Sequence, residues 1–334
     1  MLMEHKRRGA HAVVADIGGT NARFAVADLE TLELSEIRHF LCSEHQTLAC
    51  ATSVYLQGLK ESPCHAAFAV AAPVVGEEIR LTNSPWSFTR AELCRATGLE
   101  GAVVLNDFQA LALSLPHLSS SELHQISGGE PAPRAAKLVL GPGTGIGVAG
   151  LVWAGTEWVA VPSEGGHMSL AAQTARECKL AARVRSGRPH LSVERALSGP
   201  GLANLYGAVA ALHGEVHESL APNEVLTRGV AGGDKIAVEA LEQFVAWLGN
   251  FAGDAALLFG ARGGVYLGGG IAPKMIDALS TGIFLGAFQD KGRMRSYLAP
   301  IPVYVILAEH ATLKGAALSL VSSVATGDEP MTRP

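Results

Sequence analysis

The chain has 334 residues, of which 48% are hydrophobic and 17% charged, and its formal net charge is −5. This balance is typical of a well-packed globular protein of about two domains and excludes a disordered chain. The basic run Lys6-Arg7-Arg8 is too short for a nucleic-acid-binding face, and no apolar stretch reaches the roughly 18 residues that cross a bilayer. We therefore expect a cytoplasmic protein that binds neither nucleic acid nor membrane.

Five cysteines are present, and no two of them form a C-x-x-C pair. This usage predicts reduced thiols that mostly serve as packing residues, with neither a disulfide framework nor a zinc site. Asp16 interrupts the apolar run nearest the N-terminus, so we expect no signal peptide.

A glycine-rich turn between two short apolar runs is the first informative feature. The sequence reads Val13-Val14-Ala15-Asp16-Ile17-Gly18-Gly19-Thr20-Asn21-Ala22-Arg23-Phe24, which predicts strand, tight turn and strand. Glycine permits positive φ and close approach of the backbone to a ligand, and successive N–H groups beside a Thr hydroxyl form an anion site. The carboxylate of Asp16 ends the first strand, where it could handle a metal ion or its water molecules. A single hairpin of this kind is most often only a hairpin.

Helical and strand patterns then alternate, which predicts an α/β architecture. Thr89 and Glu92 form a capping-box pattern that opens one helix, and Gly98 is a glycine suited to end it. In chain order the predicted elements are a helix carrying Leu48, Thr52, Tyr55, Leu56 and Leu59, a strand over 65–75, the capped helix, a strand over 102–105 and a helix over 108–115.

A second glycine-rich turn follows a segment rich in Ser, Gly and Pro, 118–133, which we interpret as a domain crossover. It reads Leu138-Val139-Leu140-Gly141-Pro142-Gly143-Thr144-Gly145-Ile146-Gly147-Val148. No Gly-Lys-Ser/Thr follows either turn, which excludes a Walker loop, and a strand rather than a helix follows this one, which argues against a dinucleotide fingerprint. Two such turns could hold a polyphosphate from both sides, which predicts two similar halves, repeated after roughly 125 residues, around a ligand cleft.

The rest of the chain is mostly helical in pattern. A long helix is expected from its N-cap Asp234, with most of its apolar residues on one stripe. The other predicted elements are a strand over 158–161, helices within 175–259, a strand over 264–267 that enters Gly268-Gly269-Gly270, a strand over 301–307, a helix over 311–324 and a loose tail over 328–334.

Three polar clusters interrupt these apolar surroundings. Asn106 and Asp107 follow a strand, where open α/β sheets bind ligands, although the pattern at Asp107 alone favours a helix N-cap. Glu164 and His167 flank two glycines on a predicted turn, and Glu194 could equally be an ordinary residue of a helix surface. Carboxylates, an amide and an imidazole together could bind every hydroxyl of a hexose, and one carboxylate could take the proton of the reacting hydroxyl during phosphoryl transfer.

Six sequence motifs, in the family's order, resemble those of the bacterial-type glucokinases of the hexokinase–actin–Hsp70 superfamily, and the resemblance covers residues from about 12 to 317. They are Ala-Asp-Ile-Gly-Gly-Thr-Asn-Ala-Arg (15–23), Asn-Asp-Phe-Gln-Ala (106–110), Gly-Pro-Gly-Thr-Gly-Ile-Gly (141–147), Glu-Gly-Gly-His (164–167), Ser-Val-Glu-Arg-Ala-Leu-Ser-Gly-Pro-Gly (192–201) and Gly-Gly-Gly-Ile-Ala-Pro-Lys (268–274). Ser163 stands where the family pattern has Gly. The cysteine-rich zinc motif of the related repressor/kinase family is absent and no helix-turn-helix is expected before Val13, so the resemblance is to the zinc-free branch.

The resemblance implies roles for the matching positions. Asp107 would be the catalytic base that takes the proton of the sugar 6-hydroxyl, and Asp16 would act on Mg²⁺ through a bound water, with no direct protein ligand assigned. The glucose-binding residues would be Asn106, Asp107, Glu164, His167 and Glu194. The ATP-binding residues would be Asp16, Ile17, Gly18, Gly19, Thr20, Asn21, Gly143, Thr144, Gly145, Gly268, Gly269 and Gly270.

The same resemblance implies a two-domain actin/hexokinase-like (ribonuclease H-like) α/β fold with an interdomain cleft. A small domain would comprise 11–117 plus 310–326, and a large domain with long helices would comprise 118–309. The expected protein is a homodimeric, cytoplasmic glucokinase that makes glucose 6-phosphate from glucose and Mg²⁺-ATP at the entry to glycolysis. The alternatives are a kinase of the same fold acting on another hexose or an amino sugar, and a non-catalytic sugar sensor or chaperone-like ATPase.

Overall fold

A computed structural model describes residues 10–216 and 218–325, the last four of them by backbone alone. The chain forms two compact units. Unit 1 comprises the chain up to Leu118 and again from Ala308, and unit 2 comprises Ser119–Leu307. The basic run at 6–8 and the tail expected at 328–334 lie outside the described residues.

Unit 1 is built on a five-stranded sheet in the order β3-β2-β1-β4-β7. The two hairpins are antiparallel, whereas β1, β4 and β7 run parallel. The strands are β1 (His11–Ile17), β2 (Asn21–Asp28), β3 (Leu34–Leu41), β4 (His65–Val70), the separate hairpin β5 (Glu78–Arg80) and β6 (Ser87–Thr89), and β7 (Gly101–Asn106); the helices are α1 (Leu48–Gln57), α2 (Arg90–Thr97), α3 (Asp107–Ser114) and α12 (Ala311–Ala325).

Helices cover both faces of this sheet because its strands are apolar on both sides. Tyr55 of α1 and Leu93 of α2 pack with Phe24 on one face, while Ala110 of α3 and Leu313 of α12 pack on the other. The Thr89–Glu92 capping box and the left-handed Gly98 at the end of α2 confirm the sequence prediction.

Unit 2 is built on a six-stranded sheet in the order β11-β10-β9-β12-β13-β8. One large core joins this sheet to the helices. The strands are β8 (Leu123–Ser127), β9 (Lys137–Pro142), β10 (Ile146–Trp153), β11 (Trp158–Ser163), β12 (Val265–Leu267) and β13 (Val303–Ile306); the helices are α4 (Ala175–Arg185), α5 (Val193–Ala196), α6 (Gly199–His213), α7 (Pro222–Ala231), α8 (Lys235–Phe259), α9 (Ile276–Leu279), α10 (Ile283–Gln289) and α11 (Arg295–Leu298).

The two units share one strand order. In each, a three-stranded antiparallel meander (β1–β2–β3 or β9–β10–β11) is extended from its first strand by two parallel strands, β4 and β7 or β12 and β13. The predicted coarse repeat is therefore present as a repeated topology.

Two sequence predictions were wrong in detail. The strand expected over 65–75 ends at Val70. The segment 118–133, interpreted as a domain crossover, includes the boundary between the two units and also contains β8, which was not predicted and which pairs antiparallel with β13. Of the five cysteines, only Cys42 is buried, whereas Cys50 and Cys178 are exposed. None of the described helices is long and apolar enough to cross a membrane.

Candidate active site

The first glycine-rich turn closes β1 and β2 in unit 1. Gly18 N–H donates to the Asn21 carbonyl at 2.9 Å, so only Gly18, Gly19 and Thr20 separate the two strands. The Thr20 side chain is exposed at the tip. Asp16 lies directly opposite Arg23 in the strand pair. Burial raises the pKa of the Asp16 carboxyl, and the positive charge of Arg23 lowers it in part.

Gly19 and Gly141 are needed for space, and none of the turn glycines is needed for left-handed backbone. Among the described residues, none of Gly18, Gly19, Gly141, Gly143 and Gly145 has a positive φ, so the expected conformational reason was wrong. A Cβ on Gly19 would lie 2.6 Å from the Cβ of Asn83, and one on Gly141 would overlap the carbonyl of Gly268. Gly143, in contrast, has nothing within 4 Å of its Cβ direction, which leaves open space above the second turn.

Asn106 and Asp107 lie where β7 passes into α3. Asn106, and not Asp107, is the N-cap, because its Oδ1 accepts hydrogen bonds from Phe108 N–H at 2.9 Å and Gln109 N–H at 3.2 Å. Its Nδ2 donates to the Ala72 carbonyl at 3.3 Å. Asp107 is the first residue of α3, where a carboxylate is favoured by the helix dipole, and its Oδ1 accepts from Phe108 N–H at 2.9 Å.

The parallel strands of unit 1 bring these polar residues to one edge of the sheet. Val70 at the end of β4 lies opposite Ile17 on one side and Asn106 on the other. Since neighbouring strands lie about 4.8 Å apart, the β1–β2 turn and the Asn106–Asp107 pair are about 10 Å apart along this edge. Carboxyl ends of parallel strands are the usual ligand-binding edge of α/β sheets.

The second turn, between β9 and β10 in unit 2, is tightly closed. Gly143 N–H donates to the Gly145 carbonyl at 2.7 Å, and the Gly143 carbonyl accepts from Gly199 N–H, at the start of α6, at 2.8 Å. Thr144 is exposed between them. The glycine run after β12 packs beside this turn, since Gly268 N–H donates to the Leu140 carbonyl at 2.9 Å. Gly269 has φ of +78°, and a Cβ there would lie 2.5 Å from the Pro142 carbonyl.

Glu194 reaches the second turn from α5. Its Oε2 accepts a hydrogen bond from Ile146 N–H at 3.2 Å, and a Cβ on Gly145 would overlap the same oxygen. Ser192 caps α5 by accepting from Arg195 N–H. Glu194 is therefore not an ordinary surface residue of a helix, because its carboxylate is hydrogen-bonded at the end of the Gly143–Gly145 turn.

Glu164 and His167 lie on the loop that follows β11. The loop closes as a 3₁₀ turn over Gly165–His167, and the two side chains are about half exposed with Oε2 and Nε2 3.9 Å apart. Gly166 packs so closely on the Ile146 carbonyl that a Cβ would overlap it. Ser163, the departure from the family pattern, accepts from Gly165 N–H through its Oγ at 3.0 Å and so stabilises this loop.

A short antiparallel bridge joins the Glu164–His167 loop to the Glu194 helix. Ser169 pairs with Ser192, Val193 N–H donates to the Met168 carbonyl at 2.8 Å, and the His190 ring Nε2 donates to the His167 carbonyl at 3.1 Å. The bridge was not predicted from the sequence, because nothing in the residues around Ser169 indicates pairing with Ser192.

The structure thus gathers the sequence-predicted residues into two sets, one in each unit. In unit 1, Asp16 and the Gly18–Asn21 turn share a sheet edge with Asn106 and Asp107. In unit 2, the Gly143–Gly145 turn is contacted by the Gly268–Gly270 run and Glu194, and its neighbour Ile146 by the Glu164–His167 loop. Each set combines backbone N–H groups suited to phosphate with carboxylates suited to hydroxyls. No group of three His, Cys, Asp or Glu in the described ranges could hold a metal ion by itself.

Comparison with known proteins indicates a family for this chain. A sequence model of the glucokinase family matches residues 13–323. The glucokinase of Aromatoleum aromaticum is 46% identical over 316 residues, covering 94% of this chain and 95% of that protein. The crystal structure of a glucokinase from an Antarctic psychrotroph superposes with a TM-score of 0.83 at 38% identity, covering 94% and 99% of the two chains. A ROK family glucokinase from Streptomyces griseus, solved with glucose and AMPPNP, shares the fold with a TM-score of 0.62 at 18% identity, covering 92% and 98%.

Proposed function

This chain belongs to the glucokinase family and is an ATP-dependent sugar kinase, and we propose that the two sets of residues described above carry out its reaction. The γ-phosphoryl group of ATP is transferred to the 6-hydroxyl of D-glucose, which gives glucose 6-phosphate and ADP. Phosphoryl transfer needs mainly positioning of the two reactants and neutralisation of charge, and each need has its own residues in this chain.

Asp107 is the proposed base for the 6-hydroxyl. Its place at the first turn of α3, at the carboxyl edge of the sheet, supports this role, since a carboxylate is favoured at a helix N-terminus and a carboxylate can accept the proton. The Asn106 Oδ1 accepts hydrogen bonds at the N-terminus of α3, and one amide N–H donates to the Ala72 carbonyl. Its second amide N–H would bind sugar.

The other sugar hydroxyls are proposed to bind Glu164, His167 and Glu194. The supporting observation is that the 3₁₀ turn and the start of α5 are tied together by the bridge at Ser169 and Ser192, so their side chains belong to one local structure. Carboxylate oxygens accept from hydroxyls, and a neutral imidazole both accepts and donates.

ATP is proposed to bind through the two turns. The backbone N–H groups of Gly18, Gly19 and Gly143–Gly145 and the exposed hydroxyls of Thr20 and Thr144 would contact the phosphates, with Ile17 and Asn21 at the strand ends. The run Gly268–Gly270 would lie near the adenosine. The open space at Gly143 supports phosphate binding at the second turn. Residues 268–270 carry no side chains, which supports a close approach of the adenosine to their backbone.

Mg²⁺ is proposed to accompany ATP, with Asp16 acting through a metal-bound water. The donor chemistry fits, because Mg²⁺ takes oxygen ligands and usually keeps several waters beside one or two carboxylates. When bound, the ion would neutralise charge developing on the transferred phosphoryl group. The part of Asp16 is to hold the ion's water, and Arg23 on the neighbouring strand helps to keep its carboxyl ionised.

The finer assignments of fold and assembly are proposals as well. We propose domains at 11–117 plus 310–326 and at 118–309, in an actin/hexokinase-like fold of the zinc-free branch. The strand order shared by the two units supports this fold. From the family, we also propose that the protein is a cytoplasmic homodimer and that its reaction is the entry step of glycolysis.

The observation that carries the proposal is the hydrogen bond from Ile146 N–H, at the end of the Gly143–Gly145 turn, to Glu194 Oε2. It brings a carboxylate that can bind sugar hydroxyls next to backbone N–H groups that can bind phosphate. The test is ADP release from Mg²⁺-ATP in a coupled assay, over a panel of glucose, mannose, fructose and glucosamine. The proposal requires that glucose gives the highest kcat/KM. A higher value for another sugar would favour the kinase for another hexose or amino sugar, and ADP release independent of any sugar would favour the chaperone-like ATPase.

A further inference from the structure

A polar stripe runs along α8, which is otherwise one of the most apolar helices of the chain. It consists of Glu239, Gln243, Asn250 and Asp254, whose spacing puts them on one face of the helix. Gln243 and Asn250 are buried, with 7% and 9% of their surface exposed. Buried amides are costly unless they are hydrogen-bonded, so the stripe must have partners.

Asn250 is hydrogen-bonded at both ends of its amide. Its Nδ2 donates to the Ala171 carbonyl at 3.3 Å. Its Oδ1 accepts from Gln173 Nε2 at 3.4 Å and from the ammonium group of Lys291. Lys291 has only 8% of its side chain exposed and pairs with Asp254 at 2.7 Å, so a buried cation fixes which way the amide faces.

The partner segment, residues 168–173, which we name the linker, connects the Glu164–His167 loop to the Thr174 N-cap of α4. On one side the linker pairs with residues 191–193, since Leu170 N–H donates to the Leu191 carbonyl at 3.0 Å. On its other side it meets Asn250. The linker is therefore held between the segment that carries Glu194 and the polar stripe of α8.

We propose that Asn250 is a positioning residue for the sugar site, acting through the Ala171 carbonyl on the loop that carries Glu164 and His167. The inference rests on the proposed function. The Glu164 and His167 side chains are about half exposed, so the backbone of the loop sets where they lie. That backbone is held at one end by Ser163 and continues at the other into the linker, which Asn250 holds. An error of about 1 Å in such placement can cost a factor of up to about 100 in rate.

Asn250→Asp separates this role from general support of the helix. The carboxylate keeps an acceptor for Lys291 and Gln173 but replaces the donor to Ala171 with an oxygen that repels the carbonyl. We expect the KM for glucose to rise about tenfold and the KM for ATP to stay within about twofold. The melting temperature should not fall, because the hydrogen bond from the Lys291 ammonium becomes an ion pair.

Gln243→Glu is the matched control on the same stripe. Gln243 accepts from Arg176 at 2.7 Å and donates to Glu177 at 3.1 Å, so the same amide-to-acid change likewise keeps a cationic partner and removes one donor. Its direct contacts are with α4 and not with the Ala171 carbonyl, although Glu177 also accepts from Gln173 N–H at 2.9 Å. The KM for glucose should therefore stay within about twofold of the wild-type value. Asn250→Ala, which removes the amide without adding a repulsion, provides a second measurement and should raise the same KM.

His167→Ala, measured in parallel, separates failure of this inference from failure of the proposed function. If His167→Ala raises the KM for glucose while folded Asn250→Asp and Asn250→Ala do not, the positioning role is wrong and the sugar site stands. An equal rise in Gln243→Glu also overturns the role. If His167→Ala has no effect, the sugar site is elsewhere and the positioning role fails with it.

Discussion

Glu194 Oε2 accepts a hydrogen bond from Ile146 N–H, although the two residues are 48 positions apart in the chain. The bond joins a carboxylate that we propose to bind sugar with the end of a turn that we propose to bind phosphate. Geometry at the turn and geometry at the carboxylate therefore depend on each other, and substitutions on either side of the contact have distinct expected effects.

Gly145→Ala tests that contact from the side of the turn. A Cβ at Gly145 would overlap Glu194 Oε2, so the carboxylate must move and its bond to Ile146 is lost. We expect the KM values for both glucose and ATP to rise, each by about tenfold. Gly143→Ala is the control, since that glycine has nothing within 4 Å and no positive φ; it should raise the KM for ATP alone. Steady-state kinetics with each substrate varied would reveal the difference, and equal effects of the two variants would contradict the coupling.

Asp107→Asn keeps the size of the side chain and its bond to Phe108 N–H but removes the group that takes a proton. We expect kcat to fall by about 10²–10⁴ while glucose still binds. Asp277→Asn makes the same change at the first turn of α9 and should leave kcat unchanged. Turnover rates together with calorimetric titration of glucose measure both quantities. Near-normal turnover of a folded Asp107→Asn would mean that Asp107 serves only the helix terminus.

Thr20→Val and Thr144→Val remove one exposed hydroxyl from each turn without changing the shape of the side chain. Because both hydroxyls are proposed to contact phosphate, each substitution should weaken binding of a non-hydrolysable ATP analogue by about 1 kcal/mol, with little effect on glucose. Thr227→Val, at an exposed hydroxyl that donates to the Asn223 carbonyl within α7, is the control. Unchanged affinity and turnover in both turn variants would rule out a two-sided phosphate site.

His167→Ala and Glu194→Gln test the sugar assignment. A site that pairs with hydroxyls rejects an analogue lacking one, because its own polar groups are then left unpaired. Both variants should raise the KM for glucose strongly and reduce discrimination between glucose and its epimers. The KM for ATP should change little, even in Glu194→Gln, since the new amide oxygen can still accept from Ile146. Wild-type KM and epimer preference in both variants would put the sugar site elsewhere.

The sequence predicted the features that depend on nearby residues. Both glycine turns, the Thr89–Glu92 capping box and the Asp234 N-cap are present, because each is decided within a few positions. The strand β8 was missed, since its residues are mostly polar and its pairing partner β13 lies far along the chain. The sequence pattern favoured Asp107 as the N-cap of α3, whereas the N-cap is Asn106. Both residue types cap helices well, and the N-cap is the one whose backbone is extended, which the sequence does not show.

Long-range contacts at the site were beyond reach of the sequence for the same reason. Nothing near Glu194 indicates Ile146. The apolar pattern of α8 does not indicate that Asn250 contacts Lys291 and the Ala171 carbonyl, which lie in other parts of unit 2. The family motifs pointed to the candidate site residues, but the contacts between those residues are visible only in the fold.

The most direct test of the account is the rate of ADP release from Mg²⁺-ATP with and without glucose, measured for the wild-type protein and Asp107→Asn together, with the product identified by ³¹P NMR. The account predicts glucose-dependent release by the wild-type protein, glucose 6-phosphate as the product, and a rate lower by about 10²–10⁴ in the variant. Release at the same rate without glucose, or an Asp107→Asn rate equal to that of the wild type, would contradict it.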